Sequence, residues 1–208
     1  MTEPLLALRD LHVTFSTRRG PVEAVRGVTL SLDPGEMLGL VGESGSGKSV
    51  TGFAITQLLD AAGRITAGQI LFRGQDLTRL PAGDFRSLHG AAMAMIFQNP
   101  RAALNPIRAV GEQIADAILA HKQVSRGVAR AEALQLLRAV QIRDPERRLS
   151  AYPHELSGGM CQRVMIAIAM SCDPALLIAD EPTTGLDVTT QKVVMDLLAG
   201  VAAARGMA

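Results

Sequence analysis

The sequence predicts an α/β fold with an inserted helical lobe, and three observations carry that prediction. A short apolar run, Met37–Val41, leads into a glycine-rich loop and then a helical pattern. A second apolar run, Ala175–Ala179, ends in two carboxylates, Asp180 and Glu181, and a further helical pattern follows. Between them, from residue 99 to about 150, apolar positions change from strand-like alternation to helical spacing. The length of 208 residues suits one domain with such a lobe.

Taken in order, Leu6–Phe15 and Val22–Leu32 alternate loosely and read as strands, with Asp33-Pro34-Gly35 as a turn. Met37–Val41 is a continuous apolar run, the pattern of a buried parallel strand. Val50–Leu59 has helical spacing closed by Gly63, and Gln69–Phe72 is a strand with Arg73–Asp76 as its turn. Ala91–Phe97 is another apolar strand, ending at Gln98-Asn99-Pro100. Val110, Ile114, Ala117 and Ile118 mark one helix face; Val128, Ala131, Leu134, Leu137 and Val140 mark another, broken at Asp144-Pro145. Ser157 is the expected N-cap of a helix running to about Met170, Ala175–Ala179 a buried strand, and Val188–Ala204 the final helix.

Composition excludes several classes. The chain is 48% hydrophobic and 20% charged, a charged fraction too ordinary for a disordered protein. A net charge of +1 argues against a nucleic-acid-coating protein, so no nucleic-acid partner is expected. No apolar run approaches the roughly 18 residues of a membrane span, and Met1-Thr2-Glu3-Pro4 lacks the basic start and apolar stretch of a secretory signal. Cys161 and Cys172 make no disulfide scaffold or metal-ligand spacing, and His12, His89, His121 and His154 have no metal partner at sensible spacing. With aromatics at 3%, the Met-rich segments Met93–Met95 and Met160–Met170 are expected to fill core.

Gly42-Glu43-Ser44-Gly45-Ser46-Gly47-Lys48-Ser49 fits G-x-x-x-x-G-K-[ST] between an expected strand and an expected helix. The glycines (Gly42, Gly45, Gly47) let backbone N–H groups, that of Ser44 included, turn towards a phosphate at a helix N-terminus. Lys48 can reach the β- and γ-phosphates and the Ser49 hydroxyl can ligate Mg²⁺. A chance match is expected in roughly one chain in a hundred of this length, so the loop reads as a nucleotide-phosphate site. Asp180 and Glu181, at the C-terminal edge of a parallel strand, are placed to hold Mg²⁺ through water and to orient or deprotonate an attacking water. The plainer reading is a pair of acids capping the next helix. Leu156-Ser157-Gly158-Gly159-Met160 opens a helix with two glycines costing roughly 1 kcal/mol each relative to Ala. They leave N–H groups that a phosphate can approach closely, or they make a merely flexible entry.

Together these stretches resemble the ATP-binding subunit of an ABC transporter. Walker A is Gly42–Ser49, the Q-loop is Gln98 in Ile96–Pro100, the signature is Leu156–Met160, Walker B is Leu176–Asp180 with Glu181, and the D-loop is Gly185-Leu186-Asp187. Order and spacing agree along nearly the whole chain. Finer details resemble the peptide/nickel importer branch: the GESGSGKS loop, Asn105-Pro106, Pro153-His154-Glu155 before the signature, Met160 ending it, and Glu181–Thr189.

The resemblance implies a P-loop NTPase (RecA-like) core with an N-terminal antiparallel β part, one cassette over 1–208 (core 1–98 and 161–208, helical lobe 99–160). It implies ATP and Mg²⁺ as cofactors, Glu181 and Gln98 as catalytic residues, and Ser49, Gln98 and Asp180 around the metal. Two ATPase subunits, identical or paralogous, would pair head to tail, with Ser157, Gly158 and Gly159 of one facing the nucleotide of the other and Asp187 addressing the opposite site. Further implied partners are a membrane permease, whose coupling helix the lobe receives, and indirectly an extracytoplasmic solute-binding protein. The place of action is the cytoplasmic face of the cell membrane. An aromatic stacks on adenine in this family; Phe15 is the candidate ahead of Arg19 and Val22, and it could equally be a strand-core aromatic. Cys161 stands where the family has a basic residue; at a helix start its thiol could be acidified, or the substitution is simply tolerated. The family pattern continues into one more strand bearing a histidine at the γ-phosphate. Arg205-Gly206-Met207-Ala208 reads as the turn towards it, so the chain is expected to be incomplete at its C-terminus and weak in turnover. The alternative is a nucleotide-binding module, catalytically weak or inactive, that serves a complete partner.

Overall fold

In a computed structural model, which describes residues 3–208, the chain divides into two compact units. One runs to His89 and takes in Gly206–Ala208; the other is Gly90–Arg205. The Met1-Thr2 part of the amino end read for targeting lies outside the described residues.

The first unit is built on an antiparallel sheet of order β2-β1-β3-β4, with β1 Leu6–Thr17, β2 Gly20–Leu32, β3 Gly63–Phe72 and β4 Gln75–Asp76. Leu6 pairs with Leu32 on one side and with Phe72 on the other. The loose alternation has a cause: Asp10 adopts φ 49° and the register shifts between Leu8 and Leu11, so Leu6, Leu8, Leu11 and Val13 are all buried. Each such buried Leu or Val contributes roughly 1.5–3 kcal/mol. Helix α1, Lys48–Ile55, lies against β1 and β2. It ends earlier than Gly63 because Gln57 turns left-handed (φ 51°), with Leu58 N–H bonded to Phe53 O and Gln57 N–H to Ala54 O, a Schellman cap formed without glycine. Gly63 instead opens β3. Helix α2, Ala82–Leu88, completes the unit; Phe85 is buried, with His89 edge-on to its ring and that imidazole 2.5 Å from Thr56 O.

The expected strand at Met37–Val41 is not found. These residues form no ladder, and Met37, Leu38, Leu40 and Val41 are exposed. A parallel strand is held by the amides and carbonyls of its neighbours, and among the described residues none pairs with this run.

The second unit holds a two-stranded parallel sheet, β5 Met93–Ile96 and β6 Leu176–Ala179, with Met93 opposite Leu176 and Ile96 opposite Ala179. The connection is helical: α3 Pro100–Ala103, α4 Val110–His121, α5 Arg126–Ala139, α6 Pro145–Arg148 and α7 Gly158–Ala169. Helix α8, Val188–Arg205, follows β6. The core is Met93, Ile96, Val110, Ile114, Ile118, Leu137, Val164, Ile166 and Met170, so most of the Met-rich segments are core. Of β6 only Leu176 is fully buried, less than its apolar run suggests. The buried face of α5 is Ala129, Ala133, Leu136 and Leu137; of the expected stripe Leu137 and Val140 are buried, whereas Val128 and Ala131 are exposed. Strict every-third spacing precesses by about 60° per step around a helix, so that stripe could not stay on one side.

Helix α4 has no side-chain cap; its first amides are satisfied by backbone, Val110 N–H to Ala151 O and Gly111 N–H to Leu149 O. Glu112 on α4 accepts from Arg126 and Arg130 on α5, and Arg108 pairs with Asp116 at 2.6 Å. Among the described residues no helix is long and apolar enough to cross a membrane.

Candidate functional site

The site groups fall into two sets, one on each unit. In the first, the glycine loop enters α1 through left-handed glycines, Gly45 at φ 82° and Gly47 at φ 92°. A Cβ on Gly47 would come 2.6 Å from Ala24 O, a backbone atom, so that position excludes larger residues; one on Gly42 would meet Ser46 Oγ at 2.8 Å, a side chain that can rotate away. At Gly45 the same position is open space. Lys48 Nζ folds back over the loop, donating to Gly42 O and Glu43 O, each at 2.7 Å, and reaching Ser46 Oγ at 3.4 Å. The N-terminus of α1 has no side-chain cap and no acid in its first turn. An uncapped helix N-terminus, a local cation and no acid in the first helical turn fit an incoming phosphate. Ser49 is the second residue of α1, and Ser44 lies in the exposed turn. Phe15 is half-buried, its ring across Gly63, where a Cβ would meet Cε1 at 2.7 Å; it covers the bare first residue of the facing strand.

The second set is positioned by strand register. Ile96 and Ala179 are opposite each other at the end of the β5–β6 ladder, so Gln98 and Glu181, each two residues further on, emerge side by side. Asp180 N–H to Ile96 O, 2.9 Å, extends the ladder by one bond. Gln98 Nε2 donates to Glu181 Oε2 at 2.6 Å, and Thr184 Oγ1 donates to the same oxygen at 2.9 Å. Glu181 has φ 44°, a left-handed backbone that is strained for a residue with a side chain. The turn is closed by Thr184 N–H to Glu181 O, 3.1 Å, and the following loop is fixed by Gln191, whose amide donates to Leu186 O at 3.0 Å. The sequence shows Thr184 only as part of the Glu181–Thr189 stretch, its one signal being a hydroxyl three residues beyond an acid, and carries no signal for Gln191.

Ser157 caps α7 as expected, its hydroxyl accepting from Met160 N–H at 3.3 Å. Gly159 has a reason internal to the chain: a Cβ there would lie 2.9 Å from Thr190 Cγ2. Gly158 has no such conflict, its nearest neighbour being Leu186 Cδ2 at 3.9 Å. Asp187 caps α8, accepting from Thr190 N–H (3.0 Å) and Thr190 Oγ1 (2.6 Å); the Thr190 hydroxyl holds its carboxyl below the usual range. A cleft of about 510 Å³ opens here, lined by Gln141, Arg143, Ser157, Arg163, Leu186 and Asp187 among others.

The acidified thiol considered for Cys161 is not found. Its side chain is wholly buried, Sγ lies 3.4 Å from Pro153 O, and burial pushes the thiol up. His12 is held between Glu23 (2.9 Å) and Asp10 (3.2 Å); Glu23 first, against some desolvation, raises its pKa. His154 stacks on Tyr152 at 5.7 Å between ring centres.

The ABC transporter family model matches residues 25–184. The dipeptide transport ATP-binding protein DppD of Bacillus subtilis (strain 168) is 50% identical over 196 residues, 94% of this chain and 58% of that protein. The oligopeptide transport ATP-binding protein OppD of Escherichia coli (strain K12) is likewise 50% identical over 196 residues, 94% of this chain and 58% of that protein. The chain thus spans 58% of the length of these curated relatives. A dimeric ATP-binding cassette in a post-hydrolysis state, bound to ADP and Pi, superposes with a TM-score of 0.86 at 26% identity, covering 97% of this chain and 84% of that one.

Proposed function

The chain belongs to the ABC transporter family, and on that premise we propose that it is the ATP-binding and hydrolysing part of a peptide importer. The observation that carries the reading is a lysine-organised glycine loop in the same chain as a strand-end carboxylate already held by hydrogen-bond donors. The peptide substrate is supported by relatives of half-identical sequence named for dipeptide and oligopeptide transport.

The loop amides from Gly42 to Gly47 would hold the phosphates of ATP, with Lys48 exchanging its carbonyl partners for phosphate oxygens. The hard oxygen donors of Ser49, Asp180 (through water) and Gln98 suit Mg²⁺. When bound, that ion neutralises charge on the β- and γ-phosphate oxygens. Glu181 orients the attacking water and accepts its proton. With Gln98 and Thr184 both donating to Oε2, Oε1 is the acceptor for that proton. Phe15 is the aromatic offered to adenine, in addition to its place over Gly63. A second cassette would receive Ser157, Gly158 and Gly159 at its own nucleotide, with Asp187 addressing the same interface. The helical residues 99–160 would receive the coupling helix of a permease at the cytoplasmic face of the membrane, with a solute-binding protein delivering the peptide from the other side.

Purified protein is tested for nucleotide binding and phosphate release. Lys48→Ala is expected to abolish tight ATP binding. Glu181→Gln should keep ATP binding and lower turnover by roughly 10²–10⁴-fold, the range for loss of a general base. Turnover unchanged by Glu181→Gln would overturn the reading.

A further inference from the structure

We propose that Thr184 is a positioning residue for hydrolysis, acting through Glu181; the inference rests on the reading of Glu181 as the water-activating carboxylate. Glu181 is exposed at a strand end and has three side-chain torsions, so nothing in the core fixes its carboxylate. Two donors on one oxygen do so: Gln98 Nε2 at 2.6 Å and Thr184 Oγ1 at 2.9 Å, both to Oε2. They approach from different elements, one from the segment after β5 and one from the turn after β6, and together they define the carboxylate plane. Thr184 engages the residue twice, since its amide also bonds Glu181 O at 3.1 Å and closes the turn that holds the left-handed backbone.

The two donors are not equivalent. Gln98 is also proposed as a metal ligand through Oε1, so its orientation answers to two sites, whereas the Thr184 hydroxyl serves Glu181 alone. The Thr184 loop is fixed independently: Leu186 N–H bonds Thr183 O at 3.2 Å, and Gln191 Nε2 reaches Leu186 O at 3.0 Å and Thr183 O at 3.5 Å. The hydroxyl is the working group, and the exposed methyl beside it contributes little packing.

The test compares Thr184→Val, which keeps the shape without the hydroxyl, with Thr184→Ser, which keeps the hydroxyl. Hydrogen bonds to charged groups of this kind correspond to a roughly ten- to hundredfold change in rate. Thr184→Val is expected to lower kcat by that factor with the Kd for ATP, measured by titration, unchanged, and Thr184→Ser to restore it. In a Glu181→Gln background Thr184→Val should cost nothing further, because the group it positions is gone. An activity-independent measurement is the NMR resonance of the Gln98 side-chain amide in nucleotide-free protein. It should move towards that of a solvated glutamine in Thr184→Val and stay in place in Thr184→Ser. Equal losses in both variants, an undiminished loss in the Glu181→Gln background, or an unmoved Gln98 resonance would each overturn the proposal. Turnover insensitive to Glu181→Gln would instead overturn the underlying reading of Glu181.

Discussion

Gly159 is where the family resemblance and the packing give different reasons for one residue, and alanine can separate them. At its position a Cβ would stand 2.9 Å from Thr190 Cγ2, against roughly 3.5–4.0 Å for a relaxed carbon–carbon contact. Relieving that overlap costs about 1–3 kcal/mol, the usual range for overpacking. One residue earlier, a Cβ on Gly158 meets only Leu186 Cδ2 at 3.9 Å, an ordinary contact. Both glycines sit in the first turn of α7, so both alanine variants gain a similar helix-propensity term of up to about 1 kcal/mol. The difference between Gly158→Ala and Gly159→Ala therefore isolates the clash, at about 1–3 kcal/mol, or roughly 2–12 °C in a chain of this size. Thermal unfolding without nucleotide is the assay, since any phosphate role is then silent. Thr190→Ser removes the offending methyl and keeps the hydroxyl that Asp187 accepts from, so Gly159→Ala with Thr190→Ser should regain the loss. If the two alanine variants melt together, or Thr190→Ser rescues nothing, the packing account of Gly159 is wrong.

Gly111→Ala should destabilise the second unit, because a Cβ there would lie 2.5 Å from both Leu149 Cγ and Leu149 O, and a backbone oxygen cannot rotate away; denaturant midpoints should fall by the equivalent of about 1–3 kcal/mol or more. Glu112 has its carboxyl pKa lowered, first by the Arg126 hydrogen bond, so its stabilisation is present above the ordinary value of 4.5 and is lost as pH falls through the depressed one. Glu112→Gln should accordingly lower stability near neutral pH and flatten the acid limb of the stability curve; an unchanged acid limb would contradict this. Cys161 should resist alkylation in native protein at neutral pH, reacting only as fast as the protein opens, while the half-buried Cys172 is modified first; mass spectrometry of a time course reads the order.

What the sequence shows well is chemistry that needs a fixed spacing of particular residue types. Gly42–Ser49, Asp180-Glu181 and Ser157–Gly159 stand out because glycine, lysine and acid at those intervals serve few other purposes. What it hides is whatever tertiary neighbours decide. Met37–Val41 has the pattern of a buried strand, but a strand exists only where another offers it hydrogen bonds, and pattern carries no information about that. The ends of α1 and α5 fall at Gln57 and Gln141 in left-handed conformations, where the backbone bonds of a Schellman cap outweigh the missing glycine signal. The pairing of Gln98 with Glu181 depends on the register of two strands 80 residues apart in the chain, and no spacing in the sequence puts Thr190 beside Gly159.

The β5–β6 ladder has four residue pairs, and Gln98 and Glu181 lie beyond its last rung. The end of a short ladder frays more readily than its centre, by local openings that leave the rest of the unit intact. The approach of Gln98 to Glu181 therefore depends on an end of the sheet, where opening costs less than at its centre. On warming, the amide of Asp180 should lose its exchange protection before that of Ile178, and catalytic competence should decline at temperatures where circular dichroism still reports a folded protein. The expected upper working temperature of this cassette is the one at which that last rung opens, below the melting of its core.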